Sequence, residues 1–200
     1  GIGDAAGIDA RSGPAERPGR RLDHPDPGHG GRQVGQVEAG AEAELAEVDA
    51  LVIPGGESTA ISNLAKSFGL LEPLRNFAKT KPVLGTCAGL IMLSDEVEGA
   101  IAGQEFIGGL PIKTSRNAYG GQTHSFEADV DFGGQKERVA FIRAPKILDS
   151  SRAEVIARLD GAAVAVKSGN LFGASFHPEI TGAKILHKLF IQAVRENQTK

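Results

Sequence analysis

Two hundred residues with a formal charge of −3 and a pI near 6.0 form about one domain, and the balance of charge weighs against a nucleic-acid binder, which would carry a basic face. Hydrophobic residues, at 40%, supply a sizeable core, yet no run approaches the roughly 18 apolar residues of a spanning helix and no charged-then-apolar leader opens the chain, so no membrane contact is expected. The single cysteine excludes an intramolecular disulfide framework and any multi-cysteine metal site, and suits a reducing cytoplasm.

Residues 1–43 differ from the rest. They hold 10 of the 27 glycines and 4 of the 10 prolines, no aromatic residue, and only Ile2, Ile8, Leu22, Val34 and Val37 as large aliphatics. Such a segment buries too little surface to offset chain entropy, and it reads as disordered or irregular. The domain proper is expected over 44–200.

From there the elements follow one another closely. Ala50–Pro54 is a short apolar run closed by Gly55-Gly56, suited to a buried parallel strand. Glu57–Phe68 reads as a helix with Ile61, Leu64 and Phe68 on one side, and Leu71–Ala78 as a second helical piece. Pro82–Gly85 is another buried strand, and Cys87 opens a helix through about Asp95. Residues 111–116, 124–132 and 137–143 read as strands. Val155–Arg158 and Ala162–Val166 flank Asp160-Gly161, a hairpin signal. Leu171–Phe176 is a further strand, and Ala183–Arg195 an amphipathic closing helix. Strands alternating with helices across Gly-rich corners predict an α/β domain around a mostly parallel sheet, with its chemistry at the C-terminal ends of the strands.

Three segments fall at such ends. Gly85-Thr86-Cys87-Ala88-Gly89 has the form G-x-C-x-G, the cysteine counterpart of the nucleophile elbow. Its glycines permit a sharp strand-to-helix turn that exposes the thiol at a helix N-terminus. A lone cysteine is more often a buried structural residue, but the pattern and its context favour a nucleophile. Of five histidines, His177 is the candidate base, because it closes a strand and precedes Pro178-Glu179, which places a carboxylate two residues on to fix the imidazole tautomer. His24 and His29 lie in the unpatterned head, His124 reads as strand surface, and His187 as a surface or packing residue of the last helix. Pro54–Thr59 can offer one oxyanion donor, at Gly56, with the Ala88 N–H as the other. The alternative for this loop is an ordinary turn capped by Ser58 or Thr59. Arg116 and Arg143 end strands and fit a substrate carboxylate or an internal acid, with surface or structural roles at about even odds.

Taken in order, Pro54–Thr59, Gly85–Leu90, Arg116-Asn117-x-x-Gly120, Ser125-Phe126-Glu127, Phe141–Pro145 and Ser175–Glu179 resemble the glutaminase subunit family of pyridoxal 5′-phosphate synthase, among the class I (triad) glutamine amidotransferases. The likeness runs from about residue 44 to 195. It implies a three-layer, flavodoxin-like α/β fold and a glutaminase that converts L-glutamine to L-glutamate and ammonia through a thioester on Cys87, with His177 as base and Glu179 as its orienter. Substrate contacts carry over to Gly56, Glu57, Ser58, Arg116, Ile142 and Arg143. Ammonia would pass to a separate (β/α)8-barrel synthase subunit, and no metal or resident cofactor is implied. The alternatives are another class I amidotransferase with a different acceptor, or an inactive partner-binding remnant.

Two departures stand out. The family opens with a hydrophobic strand, a Leu-Gln-Gly turn and an Arg-Glu-His-rich helix, which residues 1–43 do not match. A shifted reading frame or a misassembled gene upstream would explain this, and codons for Gly3–Gly7 can encode Val-Thr-Leu-Gln-Gly one base later. Loss of that strand is expected to cost a large part of the core and to leave folding and activity of the chain as written in question. Gly121 stands where the family commonly has arginine.

Overall fold

The computed structural model describes residues 43–116 and 125–199. The expectations for 1–42, and those for Asn117, Gly120, Gly121 and His124, lie outside the described residues. After a helical stretch over 43–47 (α1), the chain runs β1 (Leu51–Ile53), α2 (Ser58–Ser67), α3 (Leu71–Thr80), β2 (Val83–Thr86), α4 (Ala88–Leu93), β3 (Ser94–Glu98) and β4 (Leu110–Ser115). It continues with β5 (Phe126–Asp131), β6 (Lys136–Phe141), β7 (Lys146–Asp149), β8 (Glu154–Leu159), β9 (Ala162–Ser168), β10 (Leu171–Ala174), α5 (Pro178–Thr181) and α6 (Ile185–Gln198).

Among the described residues the main sheet has seven strands in the order β1-β2-β10-β9-β8-β5-β6. Its parallel part is β1-β2-β10, where Ile53 registers with Gly85 and Gly85 with Gly173. Beyond β10 the pairings are antiparallel, because β8–β9 and β5–β6 are hairpins joined to the same sheet. The β8–β9 turn uses Asp160 (φ 48°) and Gly161 (φ 83°), as the Asp-Gly pair predicts.

Strand side chains alternate between faces, and two cores result. Leu84, Ala165 and Phe172 face a cluster completed by Leu186 and Phe190 of α6. Their neighbours Val83, Val166 and Leu171 face the other cluster, with Phe77, Leu90, Met92, Leu110 and Ile112. The sheet is thus covered on both sides, by α6 on one and by α3, α4 and the small sheet β3-β4-β7 on the other.

Several sequence expectations need correction. The helix after Cys87 ends at Leu93, and residues 94–98 pair in parallel with β4. Strand β7 and helix α5 were not anticipated. The buried residues of α2 are Ser58, Ser62 and Ala65, whereas Leu64 and Phe68 are exposed. The cap of α2 is Glu57, not Ser58 or Thr59: its carboxylate accepts from Thr59 N (3.2 Å) and Ala60 N (2.8 Å).

Candidate active site

Strands β1, β2 and β10 are adjacent, parallel and in register, so their C-terminal ends deliver three loops to one edge of the sheet. The loop after β1 brings residues 54–57, the end of β2 brings Cys87, and the end of β10 brings His177. This explains how residues ninety positions apart share one cleft.

Cys87 has φ 52° and ψ −105°, a conformation that L-residues seldom adopt, immediately before α4. Backbone packing holds it there. The Cys87 N–H donates to the Ala174 carbonyl at 2.8 Å. A Cβ at residue 85 would collide with the Gly89 carbonyl, and one at 89 with the Ile53 carbonyl. The glycines of the G-x-C-x-G pattern therefore let α4 turn directly back over β1 and β2. The cysteine is a buried free thiol, and its Sγ lies 3.9 Å from the Ile142 carbonyl oxygen.

His177 is fixed from two sides. Its backbone N–H donates to the Ala140 carbonyl at 2.7 Å, tying it to the end of β6. Its Nδ1 lies 2.8 Å from Glu179 Oε1, and the side chain is only 12% exposed. Pro178 sits at the first position of α5, where its missing N–H costs nothing, and Thr181 Oγ1 donates to the Arg138 carbonyl at 2.8 Å. The imidazole pKa is pushed up to about 9: hydrogen bonding to the Cys87 side chain is the largest cause, burial opposes it, and Glu179 adds to the rise.

A cleft of about 340 Å³ opens over this pair, lined by Gly56, Glu57, Ser58, Cys87, Ala88, Ile91, Arg116, Ile142, Arg143 and His177. The residues expected as nucleophile, base, oxyanion donors and substrate contacts all line the cleft, and Glu179 touches the His177 ring, which does. Ile91 is the addition; one turn along α4 from the thiol, it could have been found from helical spacing. Arg143, two residues past the end of β6, holds φ 44°. His187, by contrast, lies on α6 with Nδ1 3.2 Å from the Ala183 carbonyl oxygen.

Arg116 binds an internal acid and also reaches the cleft. It lines the cleft, and its guanidinium also binds Glu57 Oε1 (2.8 Å), Thr59 Oγ1 (3.0 Å) and Gln104 Oε1 (2.7 Å). Desolvation pushes the Glu57 carboxyl up, but the Thr59 and Ala60 N–H groups, the Thr59 hydroxyl and Arg116 together hold it below the usual glutamate value. Gln104 was not anticipated, because it lies in a polar loop with no motif around it.

Known proteins resemble this chain over most of its length. The model of the SNO glutamine amidotransferase family matches residues 32–196, starting twelve residues before the sequence motifs resume. The pyridoxal 5′-phosphate synthase subunit PdxT of Streptomyces avermitilis is 52% identical over 161 residues, covering 78% of this chain and 80% of its own. The PdxT subunit of Mycolicibacterium vanbaalenii is 48% identical over 171 residues, covering 78% and 88%. A crystal structure of a glutamine amidotransferase shares the fold with a TM-score of 0.71 at 37% identity, over 77% of this chain and 83% of that one.

Proposed function

The chain belongs to the SNO glutamine amidotransferase family, and we propose that it is the glutaminase subunit of a pyridoxal 5′-phosphate synthase, with Cys87, His177 and Glu179 as its triad. The observation that carries the reading is the shared cleft: a thiol at a strand-to-helix corner, with an imidazole beside it whose far nitrogen is held by a carboxylate.

The chemistry follows from which atoms are free. Glu179 occupies Nδ1 of His177, which leaves Nε2 to take the thiol proton. Sγ of Cys87 then bonds to the side-chain amide carbon of L-glutamine, and the carbonyl oxygen becomes an oxyanion. The Ala88 N–H, at the first turn of α4 with no intrahelical acceptor, and the Gly56 backbone are the donors assigned to it. The imidazolium returns its proton to the amide nitrogen, the C–N bond breaks, and ammonia leaves. His177 next deprotonates a water, which attacks the thioester; the C–S bond breaks, glutamate is released, and the thiol is restored. The raised pKa of the imidazole beside Cys87 favours transfer of the thiol proton to it, the first step of this sequence.

Glu57, Ser58, Arg116, Ile142 and Arg143 are assigned to the substrate, with the arginines suited to the glutamine α-carboxylate. The acceptor of the ammonia is a (β/α)8-barrel synthase subunit, and the free thiol fits a reducing cytoplasm. Among the described residues no helix is long and apolar enough to cross a membrane. Residues 44–200 form the glutaminase domain in this proposal.

The test is ammonia release from L-glutamine with and without the barrel subunit. Stimulated release supports the proposal. Activity indifferent to that subunit assigns a different acceptor, and binding without turnover assigns an inactive partner-binding role.

A further inference from the structure

Resting on the glutaminase reading, we propose that Gln104 is a positioning residue that sets the affinity for glutamine by holding Arg116 and Ser58 in their binding geometry. Gln104 does not itself line the cleft. It stands behind it, in the loop between β3 and β4, and joins two side chains that do. Its Oε1 accepts from Arg116 Nη1 at 2.7 Å, and its Nε2 donates to Ser58 Oγ at 3.2 Å.

The orientation of the amide is fixed by chemistry. A guanidinium only donates, so the oxygen must face Arg116 and the nitrogen must face Ser58. Two consequences follow. Ser58 Oγ accepts from Gln104, so its hydroxyl proton remains to be donated, and the serine becomes a donor for an acceptor group in the cleft. Arg116 is held in plane by Gln104 on one terminal nitrogen and by Glu57 and Thr59 on the other. Without Gln104, one half of that clamp is missing.

The loop is built to hold Gln104 still. Ser58, Ser62 and Lys66 recur at intervals of four along α2 and form one stripe. Ser58 receives the Gln104 amide, Ser62 Oγ accepts the Glu105 N–H (3.0 Å), and Lys66 Nζ binds both the Gly103 carbonyl (3.0 Å) and the Glu105 carboxylate (3.0 Å). From α3, Arg75 donates to the Phe106 carbonyl through Nε (3.0 Å) and Nη2 (2.8 Å). Every residue from 103 to 106 is thus tied to α2, α3 or Arg116. The same contacts account for the buried serines of α2: Ser58 and Ser62 serve the loop, while Ile61 packs against the apolar core.

The test compares wild type, Gln104→Ala and Gln104→Glu in the presence of the synthase subunit, by steady-state glutaminase kinetics and by the rate at which iodoacetamide alkylates Cys87. Iodoacetamide is small and carries no carboxylate, so it has no need of the Arg116–Ser58 pair. Gln104→Ala is expected to raise KM for L-glutamine about tenfold, with kcat within about twofold and alkylation unchanged. Gln104→Glu keeps an acceptor for Arg116 but loses the donor to Ser58, and is expected to raise KM by less. A wild-type KM in Gln104→Ala overturns the inference. So does a parallel fall in kcat and alkylation rate, which marks a general collapse of the loop. Wild type releasing no ammonia at all overturns instead the glutaminase reading on which the inference rests.

Discussion

Gly55 and the His177 ring are in contact on the side of the glycine where any other residue carries its Cβ, and a methyl group there would overlap Cε1 of the imidazole. The loop after β1 and the base at the end of β10 are therefore mutually adjusted, and Gly55 serves as a stop against which the ring rests. Gly55→Ala is expected to push the ring away from Cys87 and to lower kcat about a hundredfold, the usual cost of misplacing a reacting group by about 1 Å. The measurement is kcat for ammonia release, alongside a thermal melt. Full activity in a folded variant would show that the ring has room to spare.

The charge state of His177 gives a signed pH prediction. Its pKa lies at about 9, raised chiefly by Cys87 and further by Glu179. The acid form that protonates the leaving nitrogen is thus present through neutrality, and activity should decline as pH rises through about 9. Glu179→Gln removes a negative partner from Nδ1, so the alkaline limb should move to lower pH as well as the rate falling. The same shift couples to folding. Since the folded pKa exceeds the ordinary imidazole value of 6.5, the stabilisation is whole below about 6.5 and is lost as pH rises through about 9. A pH profile of kcat/KM for both forms tests the sign; an alkaline limb that does not move in Glu179→Gln would contradict the role given to that carboxylate.

The strands and motifs at the site were legible in the sequence because each combines a strong local pattern with a steric need. β1, β2 and β10 are short, mostly apolar runs, and each leads into a glycine, cysteine or histidine where the chain must turn. What escaped notice lacked such a pattern. Strand β3 reads Ser-Asp-Glu-Val-Glu, with one apolar residue in five, and pairs only with β4 among the described strands. Helix α5 is one turn long, and its sole signal was Pro178 at the first position. On α2 hydrophobic periodicity pointed to Ile61, Leu64 and Phe68; Ile61 packs against the core, whereas Leu64 and Phe68 are exposed and Ser58 and Ser62 turn toward a polar loop. Gln104 as clamp depends on contact with Ser58 across 46 positions, and the Glu57–Arg116 pair spans 59, separations that no local window contains.

The elbow glycines make a stability prediction separate from catalysis. Gly89 packs against the Ile53 carbonyl, which is backbone and has little freedom to move aside. Gly89→Ala should destabilise the fold by about 1–3 kcal/mol or more, the range for overpacking a tight contact. Urea unfolding reads this out as a lower midpoint with an unchanged slope. A midpoint equal to that of wild type would mean that α4 can shift relative to β1 at little cost.

The central claim concerns Cys87, and the most direct test is ammonia release from L-glutamine by the wild type and by Cys87→Ala, each folded and each with the synthase subunit. Loss of the nucleophile should lower the rate at least about a thousandfold, since neither His177 nor the oxyanion donors can form a thioester without it. A folded Cys87→Ala protein that still released ammonia at the wild-type rate would contradict the account.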